Sequence, residues 1–400
     1  MKQIQVKYIF LVFMTYWIPT KTILSLEVTN LLKPDTAKTE CVKNLIAAID
    51  KLNKEETTRI LEEGCDVNWP VTSAHYEYFC PMTCAVSKCD SSLISILLAH
   101  GADPNINLGH YYTPIQYAIT NCSLSIVKLL LGYMRDVNFL FPDPVHGYQN
   151  SPLNFAIISK RADVAKYLIE NGASINQDSN PAYETSLSLA MRSRLIDIMK
   201  ELLDHGADIN AKFSEGYEDC LPCPEQITVL HEVTKMLRYE DEQYINRVVD
   251  LLLSYKPDLN AVNEEGFTPL GFACFKKNTQ LVDKLIKNGA SPYSGNYPAL
   301  NCAAFFSNYE MTKHLLGLKV NPNQQDWEGN TPLLANIYCC GDGFGDGITE
   351  ENRVKTLTAL INAGADPSIK NFRGESFMHV LKRVNLPQIE KLLNKKGLLK

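Results

Sequence analysis

The side chains best equipped for chemistry in this 400-residue chain are its twelve cysteines and eight histidines. Cys220 and Cys223 stand together as C-L-P-C in a polar stretch. That spacing suits a small disulfide-closed loop in an oxidising compartment, or half of a zinc site in a reducing one. The second half of a zinc set is missing, and so is the βαβ pattern that surrounds a redox C-x-x-C, so a local disulfide or free thiols are expected. The histidines form no H-E-x-x-H, and no G-x-S-x-G, P-loop or G-x-G-x-x-G stands in its required context. Asp241 with Glu242, and Glu350 with Glu351, are neighbours in sequence rather than a pair held across a pocket, as acid and base work demands. Asp342, Asp346, Glu350 and Glu351 lie among glycines, but their spacing misses the calcium-loop pattern and reads as a solvated turn. No catalytic residue, no cofactor and no metal site are therefore expected.

Bulk composition says what the scaffold around these residues is. With 45% apolar and 21% charged residues the chain has ample material for a core. A formal charge of -6, without long like-charge blocks, gives no basic footprint for nucleic acid or an anionic membrane. Residues 1–25 differ from the rest. Lys2 and Lys7 precede the apolar run YIFLVFMTYWI, and small Ser25 follows, the layout of a secretory signal peptide. The run is shorter than the roughly 20 residues of a membrane span, so no span is expected in the mature chain. A buried N-terminal helix is the alternative reading, favoured by Lys21 and bulky Leu24 near the cleavage region.

Two landmarks recur in phase along the rest of the chain. One is Gly101-Ala102-Asp103-Pro104-Asn105, repeated at Gly172, Gly206, Gly289 and Gly364, with degenerate copies at Gly64, Asp136, Asp258 and Asn321. The other is Thr113-Pro114-Ile115, repeated as Ser151-Pro152-Leu153, Thr268-Pro269-Leu270 and Thr331-Pro332-Leu333, with variants at Thr185 and Thr228. An apolar helical pattern such as Leu93, Ile94, Ile96, Leu97, Leu98 lies between them. This double landmark resembles the ankyrin repeat, with its T-P-L-H-x-A opening and G-A-D close. The resemblance runs over 38–400, with units near 43–68, 80–105, 113–138, 151–176, 185–210, 228–260, 268–293, 298–323, 331–368 and 376–400. It implies an all-α repeat solenoid of stacked helix-turn-helix units with finger loops, in which a concave groove and the fingers bind a partner protein. Local chemistry agrees: Thr caps a helix whose first position is Pro, and Gly closes the second helix. His231 and His379 occupy the T-P-L-H slot, and His100 and His205 precede G-A-D. The first and last units, with polar outer helices, suit the role of caps.

Information about the partner should lie where the repeat is broken. Three fingers are overlong: WPVTSAHYEYF after Asn68, FLFPDPVHGYQN after Asn138, and AKFSEGYEDCLPCPEQI after Asn210. They carry Trp69, Tyr76, Tyr78, Phe139, Phe141, His146, Tyr148, Phe213 and Tyr217, and the intervening finger carries Tyr111 and Tyr112. Rings on a supported loop make good interface anchors, so these eleven residues are the candidate partner-binding set. Packing of the same rings against neighbouring fingers is the alternative. The C-terminal units are expected to be mainly structural. Two further insertions, LRYEDEQY and CGDGFGDGITEEN, interrupt turns between paired helices.

Cysteine positions within the repeat argue for free thiols. Cys65 and Cys274 replace small alanines, Cys84 and Cys302 share one position, and Cys89 and Cys122 are equivalent. Equivalent positions on stacked units should lie roughly one helix diameter, about 10 Å, apart, beyond the ~7 Å reach of a disulfide. These six are expected to be buried free thiols. The functional expectation is a protein-binding module, secreted as an effector and monomeric. An intracellular ankyrin scaffold in the cytoplasm, and an inhibitor that plugs an enzyme active site with a finger, are the alternatives. The single N-glycosylation acceptor sequence, Asn121-Cys122-Ser123, would report passage through the secretory pathway.

Overall fold

In many units a hydroxyl residue fixes where the first helix begins. Thr113 accepts a hydrogen bond from the Gln116 amide, and the Gln116 side chain accepts in return from the Thr113 amide at 2.8 Å. Ser151, Thr185 and Thr268 cap the amides of Asn154, Ser188 and Gly271 in the same way. Each such cap contributes about 1 kcal/mol by satisfying an amide that has no partner within the helix.

The computed structural model describes residues 36–71, 80–106, 113–134, 136–142, 149–176, 184–214, 226–236, 242–338, 349–383 and 386–397. These fall into two compact blocks, Met1–Arg135 and Asp136–Lys400. In the first lie α1 (Thr36–Asp50), α2 (Lys54–Glu62), α3 (Pro81–Ser87), α4 (Ser91–Ala99), α5 (Pro114–Asn121) and α6 (Leu124–Gly132). In the second lie α7 (Pro152–Ile158), α8 (Ala162–Glu170), α9 (Ser186–Arg192), α10 (Ile196–Asp204), α11 (Val229–Lys235), α12 (Glu242–Ser254) and α13 (Pro269–Phe275). It continues with α14 (Thr279–Lys287), α15 (Ala299–Phe305), α16 (Tyr309–Gly317), α17 (Pro332–Tyr338), α18 (Glu350–Asn362), α19 (Phe377–Leu381) and α20 (Pro387–Lys395). The architecture is an all-α repeat solenoid, as the landmarks imply.

Within each block, first helices stack on first helices, as α3 on α5 and α15 on α17, and second on second, as α8 on α10 and α18 on α20. The short first helices are enclosed: every residue of Pro152–Ile157 is buried, which is why small Ala156 is needed in the middle. The second helices bury one stripe only, for example Val164, Ala165, Leu168 and Ile169 on α8, and leave the other face to water. α12 and α18 each have thirteen residues where most second helices have nine, so part of the two turn insertions is absorbed as an extra helical turn.

Asparagine closes several units onto the next. Asn176 donates to the Gly206 carbonyl at 2.9 Å and accepts from the Asp208 amide at 3.0 Å. Asn68 makes the same pair with Gly101 and Asp103, and Asn323 with Gly364 and Asp366. One side-chain amide thus imitates a backbone unit bridging two loops. In the degenerate units Lys256 and Lys319 take the left-handed conformation, at φ 54 and 61, that glycine supplies elsewhere.

Two of the six expected free cysteines pair with each other. Cys89 and Cys122 form a disulfide with Cα atoms 5.6 Å apart, and Cys65 is bridged to Cys41 on α1, 5.9 Å away. The helix-diameter estimate applies to helix axes. Cys89 and Cys122 sit instead in the turns between paired helices, where Cys89 has φ 50 and Cys122 is extended, so the two turns lean together. Cys84, Cys274 and Cys302 are buried free thiols, as expected, and so is Cys80. Burial pushes the Cys84 and Cys302 thiols up to about 12, which makes them unreactive.

Candidate partner-binding surface

A finger presents a side chain well only if its backbone is held, and the structure shows how two long fingers are held at their bases. Phe141–Pro142 (β1) pairs antiparallel with Gln149–Asn150 (β2), and Phe213–Ser214 (β3) with Gln226–Ile227 (β4). Successive residues in a strand face opposite ways. Phe213 therefore turns inward beside Ile227, and both are fully buried.

Phe213 is thus not a partner-binding residue: its ring fills the core under the finger, with the Arg192 guanidinium 5.9 Å from its centroid. Arg192 also pairs with Glu184 and with buried Glu232, so this ring belongs to a structural ionic cluster. Trp69 is half-buried and carries the Lys38 ammonium 4.9 Å above its ring, so one face is already engaged within the first block. Phe139 is half-buried in the second block. Phe141 is placed in β1 by its backbone. Tyr76, Tyr78, Tyr111, Tyr112, His146, Tyr148 and Tyr217 lie outside the described residues, as do Cys220, Cys223 and residues 1–25.

Among the described residues, Tyr133 at the end of α6 is 54% exposed, and three further exposed rings stand on fingers of ordinary length near the C-terminus. Phe372 is 77% exposed, Trp327 55% and Tyr293 43%. Their loops are strapped in series: the Asn296 amide donates to the Gly266 carbonyl (2.8 Å), Trp327 to Asn296 (3.0 Å), and Phe372 to Glu328 (3.0 Å). Asp326 caps the amides of Glu328 and Asn330, and Asn371 caps those of Arg373 and Glu375, so each tip is a closed turn. Gly329, at φ +80, is compulsory there, because a Cβ would stand 2.9 Å from both the backbone nitrogen and the ring of Phe372. Phe267 stacks on Tyr297 at 4.6 Å and stiffens the preceding fingers. Arg373 pairs with Glu328 at 2.8 Å beside the exposed rings, and Glu264 and Glu265 are exposed on the neighbouring tip. The tips of the C-terminal units thus carry large apolar side chains in solvent, held out of any core by the straps.

Polar groups under the fingers do structural work. His231 accepts at Nδ1 from Thr228, and its Nε2–H donates to the Phe267 carbonyl of the next unit at 3.1 Å. Burial pushes this imidazole down to about 4, so it is neutral near pH 7. Burial likewise raises the Asp326 carboxyl, against the loop amides that favour its ionised form. Among the described residues there is no group of three or more His, Cys, Asp or Glu placed to hold a metal ion, and no helix is long and apolar enough to cross a membrane.

Stacked helix pairs that project stiffened, aromatic-tipped loops define a helical repeat scaffold. The chain belongs to the ankyrin-repeat family: the sequence profile of ankyrin repeats, three copies, matches residues 37–140, 136–213 and 239–340, well over half of its length. Ankyrin repeats are protein–protein interaction modules of a non-enzymatic kind. Among solved structures, the ankyrin repeat domain of Bcl-3, a member of the IkappaB protein family, is 20% identical, covering 61% of this chain and 98% of its own at a TM-score of 0.48. The human ASB11 ankyrin repeat domain is 22% identical, covering 64% of this chain and all of its own at 0.44.

Proposed function

We propose that this chain is an exported binding protein that grips a partner protein with its finger loops, anchored by Trp327 and Phe372. The observation that carries the proposal is the exposure of these rings on tips closed by backbone straps and Asx-type turns. A ring held rigidly in water contributes its burial energy to binding without losing much rotamer entropy. Phe139, half-buried on a finger of the same block, extends the set. Export is supported by the Cys41–Cys65 and Cys89–Cys122 disulfides, because such bonds persist in oxidising compartments. Capture from the fluid into which the protein is released, compared between the native chain and a Trp327→Ala/Phe372→Ala variant, tests the binding claim. Loss of a captured protein with unchanged helical content supports it, and equal capture by both overturns it.

A further inference from the structure

We infer that Asn121 is a glycan acceptor whose occupancy is decided by a race with the Cys89–Cys122 disulfide, an inference that rests on the export reading above. Asn121-Cys122-Ser123 is the single Asn-x-Ser/Thr sequence, with x other than Pro, in the chain. Asn121 and Ser123 are exposed, whereas Cys122 between them is buried and bonded to Cys89. The acceptor tripeptide and the disulfide thus share a residue.

The folded protein has room for the sugar. Asn121 is the last residue of α5, and its Nδ2 donates to the Tyr117 carbonyl at 3.1 Å. An amide nitrogen carries two hydrogens, so one N–H can keep that bond while the other is replaced. α5, eight residues and about 12 Å long, carries Thr113 at its finger-side start and Asn121 at its far end.

The folded protein is nevertheless a poor acceptor. Cys122, the middle residue of the acceptor tripeptide, is buried and its amide donates to the Ala118 carbonyl at 2.9 Å, so once α5 has formed the tripeptide cannot lift away from the fold into a transferase groove. The Cys122 bridge then holds that geometry. In the transfer step Nδ2 of Asn121 forms a C–N bond to the anomeric carbon of a lipid-pyrophosphate-linked oligosaccharide. The anomeric C–O bond breaks, the lipid pyrophosphate leaves with the electron pair, and the Nδ2 proton passes to a base of the transferase. In the competing step the two thiols give two electrons and two protons to a disulfide-carrying oxidoreductase, which is reduced to its dithiol.

The test uses the full chain expressed in a secreting animal cell, with compartments separated and each fraction analysed by mass spectrometry before and after peptide N-glycosidase, which leaves Asp where a glycosylated Asn stood. The expected result is partial conversion at Asn121 in the exported chain and none in Asn121→Gln. Conversion should become near-complete in Cys89→Ser, which keeps the acceptor sequence and removes the partner of Cys122. Should Cys89→Ser fail to fold, a dithiothreitol pulse on the native chain during synthesis must give the same rise. Exported chain unmodified at Asn121 in every case overturns the inference, and equal occupancy with and without the disulfide overturns the race. Native chain confined to the cytosol, by contrast, overturns the export reading itself.

Discussion

Removing the Cys89–Cys122 bridge, by replacing both residues with Ala, is expected to destabilise the first block by about 3.7 kcal/mol. The figure follows from the 33-residue separation of the two cysteines, because an unfolded chain cross-linked over such a loop loses about 12.5 cal/mol/K of entropy at 25 °C. Trimming the buried Cys122 sulfur adds a small packing loss, on the order of 1 kcal/mol, while the left-handed backbone at Cys89 is retained in Ala, because Leu52, Lys160, Arg194, Lys277 and Ser307 hold it at the same turn without a bridge. The loop term therefore dominates. Urea unfolding followed by far-ultraviolet circular dichroism measures it, with the oxidised native chain as reference. A stack of repeats unfolds in parts when one interface weakens, so an early transition confined to the first block should separate from the main one. Its denaturant dependence should steepen, since the freed chain exposes more surface. A shift below about 1 kcal/mol, or a transition that stays single and unmoved, would refute the reasoning that this bond constrains a long unfolded loop.

Neutral His231 gives a pH dependence of definite sign. Its folded pKa near 4 lies below the ordinary 6.5, so the unfolded chain takes up the proton first as pH falls. Stability is intact above 6.5 and declines through the window from 6.5 to 4 by about 3 kcal/mol. His231→Gln, which copies the Gln116 cap of the third unit, should keep the fold and remove that slope in urea titrations across this window. Asn176→Ala, which deletes both bonds to Gly206 and Asp208, should cost about 1–2 kcal/mol by the same assay, and Asn176→Asp, which keeps the acceptor, about half of that. Gly329→Ala should cost about 1–2 kcal/mol from its positive φ and push Phe372 aside, seen as faster proteolysis at the 371–374 tip.

The scaffold was legible because its signals are local. Thr113, Pro114 and Gln116 cap a helix wherever they occur together, and a glycine such as Gly101 ends one, so unit phase follows without knowledge of tertiary contacts. The site was less legible because exposure is not local. Loop length pointed to Phe213, but strand alternation turns that ring into the core. Trp327 and Phe372 lie on fingers of regular length, and they became candidates only once the straps from Asn296 and Glu328 were seen to hold them in solvent. A side-chain signal was present nonetheless, in aromatic residues at finger tips flanked by Asp326, Gly329 and Asn371. The Cys89–Cys122 bridge is hidden in the sequence because repeat equivalence gives the spacing of helices and says little about how turns lean.

The finger-grip proposal is tested most directly by titrating the captured partner against the native chain and against Trp327→Ala/Phe372→Ala in one calorimetric or surface-binding experiment. The expected result is an affinity loss of about tenfold or more with helical content and melting unchanged, as removal of two exposed anchors demands. Equal affinity in the two proteins would contradict the claim that these finger tips hold the partner.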